Sequence, residues 1–458
     1  MAEREATHFV SGVIEGFYGQ PWTQEQRHEL LDWLQAWGLN TYLYAPKDDL
    51  KHRAHWRHAY SPEETDRLQH LVDACRERRI HFLYALSPGL SIRYSSEADL
   101  HLIQRRFSQL LALGCEDFAL LFDDIPVHLD SEDQTRWGSF AAAQCHVANS
   151  ILNWLRERRP NARLLFCPTP YCGRMAKAGL GGANYLPTIG RELHPDITVF
   201  WTGPEIISEQ ITTTHLQEIQ QMLRRKPLIW DNLHANDYDG RRFYCGPYAG
   251  RSPEIRTAVS GVLVNPNVEF PLNYIPVRTF ALWSHCQAHW APREAYLSAM
   301  REWLPRFTVG GHPVKLEDLV LLGDCYYLPH EEGPEAQRLY AACQTSLNAV
   351  PRPDSVETSF LRDQASRLQA FCALLSELDD RPLFYALGRR IWELREEMDL
   401  LLRCNESRLM GGPKASCASD FHLPGTYRGG MAAKLQRLLE QHADGTFTPT
   451  EPLPPAMS

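Results

Sequence analysis

No stretch of this sequence holds 18 uninterrupted apolar residues, and its N-terminus, MAEREATHFV, is polar and charged, without the apolar core of an export signal. Both absences point away from a membrane span and a secreted fate, so a soluble protein of the cytoplasm is expected. An excess of basic residues is missing too: 47 Lys and Arg stand against 56 Asp and Glu, a formal net charge of -9. Without a basic surface to displace counterions, a sequence-independent grip on nucleic acid is not expected. The 12 cysteines are scattered from Cys75 to Cys417, with no CxxC pair and no Cys/His cluster at zinc spacing. Cys167 and Cys172 lie near each other but no second pair follows, so the cysteines are expected mostly as small buried hydrophobes in a reducing compartment. Internal repeats and low-complexity runs are absent as well, which sets solenoids and arrays aside.

What remains is ordinary globular material. The chain has 458 residues, 44% hydrophobic and 22% charged, too long for one compact core, so two or three domains are expected. Short apolar runs rich in β-branched and aromatic residues predict strands over 8–17, 40–45, 80–87, 117–123, 163–168, 197–202, 226–231 and 261–265. Amphipathic segments alternate with them. TQEQRHELLDWLQAWG (23–38) begins with a threonine N-cap position and ends on glycine, and SPEETDRLQHLVDACRERR (61–79) begins with serine, proline and first-turn acids. Eight strands alternating with helices predict a (β/α)8 TIM-type barrel over residues 1–290. Beyond it the pattern turns all-helical, with helices expected over 295–306, 316–324, 334–348, 356–379, 382–409 and 428–442. These make residues 291–458 a helical bundle, with a short join at TVGGHPVK (308–315) and a long loop over 409–425.

The strand ends carry the chemistry. Active sites of such barrels sit at the C-terminal ends of the strands, where this chain places EGFYGQPW, YAPKDD, LFDDIP, FCPTPYCG, FWTGPE, WDNLHANDYD and LVNPN. Aromatic walls with fixed amides and acids suit a pyranose ring, which offers apolar C–H faces and a rim of hydroxyls. Asp123 and Asp124 stand side by side at the end of the fourth strand. Neighbouring residues do not easily straddle a sugar at the roughly 5–5.5 Å separation of an ordinary retaining glycosidase. They can divide the labour if a 2-acetamido group supplies the nucleophile, one Asp orienting the amide and the other acting as general acid. Crowding in a partly dry site is expected to raise the pKa of one of them. Against this stand a solvated turn, common where strands end, and a metal-binding pair, for which only Asp237 and the Asp48/Asp49 loop offer further ligands. A non-catalytic sugar binder would keep the tryptophans and amides, and a purely structural scaffold would leave the polar mouth unexplained.

The segments GVIEGFYGQPW, LNTYLYAPKDDLKHR, ALLFDDI, FCPTPYCG, WTGP, IWDNLHANDYD and LVNPN resemble the protein O-GlcNAcase family, glycoside hydrolase family 84, most closely its animal nucleocytoplasmic members. LEDLVLLGDCYYLPHEEGP (316–334) and YRGGMAAKLQRLL (427–439) are similar to that family's helical stalk. The resemblance implies a retaining β-N-acetylglucosaminidase that works through an oxazoline intermediate without metal or cofactor. It implies that Asp123 orients and polarises the acetamido group, that Asp124 is general acid and then base, and that Tyr171 hydrogen-bonds the acetamido oxygen. Trp230 and Asn232 would line the acetamido side, while the backbone of Gly16 and the side chains of Lys47, Asp237 and Asn265 would hold the sugar hydroxyls. Taken singly, Lys47 also reads as an ion partner of Asp48 or Asp49, Trp230 as a core ring and Asn265 as a turn residue. Partners implied are an O-GlcNAc-modified protein and a second copy of the chain, paired through the stalk, with no membrane or nucleic acid; compact relatives on free glycans or hyaluronan fragments are the alternative. The join before the stalk-like part is short, and features attributed to the family's long insertion there or to its acetyltransferase-like C-terminal domain are not expected of these residues.

Overall fold

The computed structural model describes residues 9–287, 289–348, 352, 355–412, 415–419, 422 and 428–450. All eight expected strands form, each trimmed at one end or both: β1 (Val10–Glu15), β2 (Thr41–Tyr44), β3 (His81–Leu86), β4 (Asp117–Leu121), β5 (Arg163–Cys167), β6 (Thr198–Trp201), β7 (Leu228–Asp231) and β8 (Gly261–Val264). They pair in chain order, all parallel, and β8 returns to β1 with Val10 opposite Gly261, closing the barrel. Strands covered on both faces read as near-continuous apolar runs, which is why the sequence marked them so clearly. Ile14, Leu43, Leu83, Ala119, Leu165, Phe200, Leu228 and Leu263 fill the interior, so the barrel is a packed core with a site only at its mouth.

Two helices show how the loops of that mouth are fixed. In α1 (Gln24–Ala36) the Thr23 hydroxyl accepts from the Gln26 N–H while the Gln26 side chain accepts from the Thr23 N–H; α2 (Pro62–Glu77) repeats this reciprocal cap with Ser61 and Glu64. Each cap satisfies two otherwise orphaned donors and pins the helix start directly after a loop that feeds the site. The pattern of a helix after every strand breaks once. Between β7 and β8 there is only a short 3-10 turn, Pro253–Thr257. This long connection is tied back by Asp231, fully buried at the end of β7, which accepts two bonds from Arg251 at 2.8 Å each and one from the Tyr248 hydroxyl at 2.8 Å.

The chain divides into two compact units. The first comprises Met1–Tyr238, Tyr248–Phe270 and Val277–Pro292; the second comprises Asp239–Pro247, Pro271–Pro276 and Arg293–Ser458. In the second unit lie the helices Leu316–Cys325, Pro334–Asn348, Val356–Leu375 and Arg381–Gly411. Three features depart from the expectation. TVGGHPVK forms a two-stranded hairpin, Thr308–Val309 against His312–Pro313, turning at Gly310 and Gly311 with φ of 57° and 79°. The helix expected over 428–442 stops after Gly430–Gln436, because Leu439–Gln441 pairs antiparallel with Thr446–Pro449, which in turn pairs with Cys417–Ala418. Cys404 and Cys417 are joined in a disulfide, whereas nine of the ten free cysteines are buried as expected. Parts of the expected loop 409–425, and Tyr427 of the stalk-like segment, lie outside the described residues. No helix among the described residues is long and apolar enough to cross a membrane.

Candidate active site

A cavity of about 620 Å³ opens at the C-terminal ends of the strands. The structure brings all nine sequence-predicted positions into its wall: Gly16, Lys47, Asp123, Asp124, Tyr171, Trp230, Asn232, Asp237 and Asn265. They arrive from the segments after β1, β2, β4, β5 and β8 and from β7 with the segment that follows it, so no one stretch of chain makes the site.

The two aspartates face different surroundings. Asp123 is only 6% exposed, and its Oδ2 accepts from the Lys47 ammonium at 2.5 Å. Its Oδ1 is buried with no hydrogen-bond partner. Burial pushes the Asp123 pKa up, but the Lys47 charge and hydrogen bond, helped by Arg53, outweigh it and hold the carboxyl below the ordinary aspartate range. At Asp123, then, the lysine decides and not the crowding. Asp124 is exposed, with φ of 49°, a left-handed backbone conformation. Its Oδ1 accepts from the Tyr171 hydroxyl at 2.8 Å and its Oδ2 from the Tyr18 hydroxyl at 3.1 Å. Burial, reinforced by the Asp124 charge, drives both phenols far above the ordinary tyrosine range, so they keep their protons and donate them to the Asp124 carboxylate.

The floor is aromatic. Trp230 meets Phe200 edge to face with centroids 5.5 Å apart, and the Lys47 ammonium lies 5.5 Å from the indole centroid. Gly16 approaches so closely that a Cβ there would stand 2.4 Å from Trp230 Cζ2, so no larger residue fits without moving the ring. On the far wall Asn265 Nδ2 donates to Asn232 Oδ1 at 3.0 Å, and Asn232 Nδ2 donates to the Ile206 carbonyl at 2.9 Å. Asn265 Oδ1 is buried without a partner. Asp237 accepts from the Tyr18 N–H at 2.9 Å, and burial lifts its pKa above the usual carboxylate value, with Asp124 adding to the effect.

The rival assignments can be placed against this geometry. Asp48 accepts from the Gly19 N–H at 2.9 Å, and Asp49 from the Tyr44 and Tyr60 hydroxyls at 2.8 Å each, so both acids are spent on holding loops. Lys47 pairs with Asp123 and with neither of them. Among the described residues no group of three His, Cys, Asp or Glu side chains stands close enough to hold a metal. Sequence reasoning missed Tyr18 and Arg53. Tyr18 lies inside EGFYGQPW, but a tyrosine three residues past a strand end carries no signal that it reaches Asp124, 106 positions away. Arg53 sits at the end of LNTYLYAPKDDLKHR, and its target is a pair of backbone carbonyls, which no side-chain pattern reveals.

The profile of the family described as beta-N-acetylglucosaminidase matches residues 11–309. Protein O-GlcNAcase of Rattus norvegicus and that of Mus musculus are each 48% identical to the chain over 278 residues, a match covering 61% of this chain and 30% of either relative. The chain thus spans under a third of the length of those relatives. Among solved structures, an aspartate-to-asparagine mutant of Thermobaculum terrenum O-GlcNAc hydrolase is 30% identical with a TM-score of 0.78, covering 88% of this chain and 84% of that one. CpGH84B, 24% identical with a TM-score of 0.74 over 87% of this chain and 68% of that one, shares the fold.

Proposed function

The chain belongs to the beta-N-acetylglucosaminidase family, and we propose that it removes terminal β-linked N-acetylglucosamine from Ser or Thr of glycoproteins, with retention of configuration. The observation that carries this reading is the asymmetry of the aspartate pair. Asp123 has one carboxylate oxygen held by Lys47 and the other buried and unpartnered in the cavity wall. An unpaired buried acceptor is costly, and an amide N–H is the donor that would relieve it. With its N–H on Asp123, the acetamide turns its oxygen to the anomeric carbon. That oxygen bonds to the carbon as the glycosidic bond breaks, the Asp124 carboxyl delivers a proton to the departing oxygen, and an oxazoline forms as the amide proton passes toward Asp123. Asp124, now a carboxylate, takes a proton from a water that attacks the anomeric carbon from the face the aglycone left; the bond from that carbon to the oxazoline oxygen breaks as Asp123 returns the proton to nitrogen, giving the acetamide and the β-anomer. Tyr171 releases Asp124 to donate to the acetamide oxygen, and Trp230 and Asn232 line that side of the sugar. Lys47, Asp237, Asn265 and the backbone of Gly16 hold the hydroxyls. A solvated turn does not fit Asp123, which is buried on a lysine.

A fluorogenic N-acetyl-β-glucosaminide and the matching β-glucoside test the reading together. Turnover of the first, unaffected by a chelator, with negligible turnover of the second is expected. Equal turnover of both, or activity that added metal restores after chelation, contradicts it.

Residues 291–458 we assign to a stalk that pairs two chains. Leu361, Phe371, Leu387 and Ile391 are buried within this part, but Val356, Phe360 and Leu374 remain exposed and Tyr385 is 72% exposed, more apolar surface than a free bundle gains from showing. Light scattering at micromolar concentration is expected to give the mass of two chains, and Tyr385→Glu to lower it. A monomer before any substitution would refute the stalk assignment and leave the barrel chemistry untouched.

A further inference from the structure

Among the described residues only three besides glycine have a positive φ: Arg79, Asp124 and Arg224. Two of them close helices, Arg224 directly after Thr213–Leu223 and Arg79 two residues after α2, where a left-handed residue is the usual terminator. Asp124 follows a strand, where no helix end calls for the left-handed conformation; aspartate tolerates it better than most residues with a Cβ, and here a shared partner holds it. Extended backbone would turn successive carbonyls to opposite sides. At this turn the carbonyls of Asp123 and Asp124 both face one guanidinium: Arg53 donates from Nη2 to the Asp124 carbonyl at 2.7 Å and from Nη1 to the Asp123 carbonyl at 3.3 Å.

Arg53 is itself held. It is 6% exposed, Nη1 also donates to the Ser87 hydroxyl at 2.9 Å, and its ring-facing side lies 5.8 Å from the Tyr18 centroid. Its loop is fastened to the end of β3, since the Ser87 N–H donates to the His52 carbonyl at 2.9 Å and His52 Nδ1–H donates to the Ala85 carbonyl at 2.8 Å. The guanidinium therefore bridges the segments after β2, β3 and β4. A planar fork of donors spans three oxygens at once; an ammonium is a point charge without that fork.

We propose that Arg53 is a positioning residue for the reaction: by gripping both carbonyls it holds the left-handed turn at Asp124 and so aims that carboxyl at the leaving-group oxygen. This rests on the role given to Asp124 above. Arg53 touches no reacting atom, and its effect passes through the direction of the acid.

The test is a series of aryl N-acetyl-β-glucosaminides of rising leaving-group pKa, read for kcat and KM on Arg53→Lys, Ser87→Ala and Asp124→Ala. Arg53→Lys keeps the charge and loses the fork, so kcat on the poorest leaving group should fall by about 10²-fold, the loss typical of a displaced catalytic group. KM should change little, and the best leaving groups should lose far less. Ser87→Ala, which keeps the guanidinium but removes its anchor, should shift the dependence in the same direction and by less. An equal loss across the series for Arg53→Lys, or none, overturns the proposal; if that variant does not fold, an unchanged dependence in Ser87→Ala does so. Asp124→Ala separates the two ideas. If it shows leaving-group dependence and Arg53→Lys does not, only the positioning role falls; if Asp124→Ala shows none, the acid assignment falls and this proposal with it.

Discussion

Asp124→Ala is expected to lower kcat/KM on an aryl N-acetyl-β-glucosaminide with a poorly acidic phenol by about 10²–10⁴-fold, the range of a lost general acid. On a dinitrophenyl-type leaving group, which departs without a proton, the first step should be nearly untouched. The asymmetry follows from the contacts of that carboxyl. It is exposed to the cavity and held only by two phenols, Tyr18 and Tyr171, both of which can let go without leaving a charge unpaired. Removing it leaves the rest of the wall in place. Stopped-flow and steady-state rates across a phenol series check this, and a loss of equal size on every leaving group would deny Asp124 the part of acid.

The second large effect belongs to Asp123, with the opposite signature. Asp123→Ala removes the acceptor that turns the acetamide, so good and poor leaving groups should lose alike, by about 10²–10³-fold if orientation is worth as much as an oxyanion-hole donor elsewhere. It also strands the buried Lys47 ammonium, whose side chain is 2% exposed. An uncompensated buried cation is strongly destabilising, by roughly 3–5 kcal/mol for a broken buried pair. A lowered melting temperature should therefore accompany the kinetic loss, whereas Asp124→Ala, at an exposed position, should melt close to the parent. The double variant Lys47→Met with Asp123→Ala should regain stability without regaining activity. Should that double variant be less stable than Asp123→Ala alone, the buried ion pair is not what the single substitution breaks.

The barrel was legible because its strands are buried on both faces. LLFDD and GVLVN mark themselves by composition, and the helices after them by reciprocal caps such as Thr23 with Gln26. The site was legible for the same reason: residues directly after strand ends must gather at one mouth, so Lys47, Asp123, Tyr171 and Asn265 could be placed together before any distance was known. Less was visible where the partner is far along the chain or is backbone. Arg251 reaching Asp231 inside the helix-free β7–β8 connection gave no periodic signal, nor did Arg53 reaching two carbonyls. The hold on Asp123 also escaped. Adjacency of the two carboxylates says nothing of the lysine 76 positions away whose charge and hydrogen bond keep Asp123 below the ordinary aspartate range. In the second unit, helical periodicity continued through GMAAKLQRLLEQ because the same apolar spacing serves a short helix followed by a strand, and only the pairing of Leu439–Gln441 with Thr446–Pro449 separates them.

The claim that the substrate's own acetamide attacks the anomeric carbon is tested most directly by weakening that nucleophile. Aryl glucosaminides carrying acetyl, monofluoroacetyl, difluoroacetyl and trifluoroacetyl groups on nitrogen differ little in size but steeply in the basicity of the amide oxygen. With participation, kcat/KM falls progressively with each fluorine, and falls along the same line in Asp124→Ala. A response flat across the series would mean that a residue of the protein, or water, makes the new bond, and that the aspartate pair has been assigned the wrong chemistry.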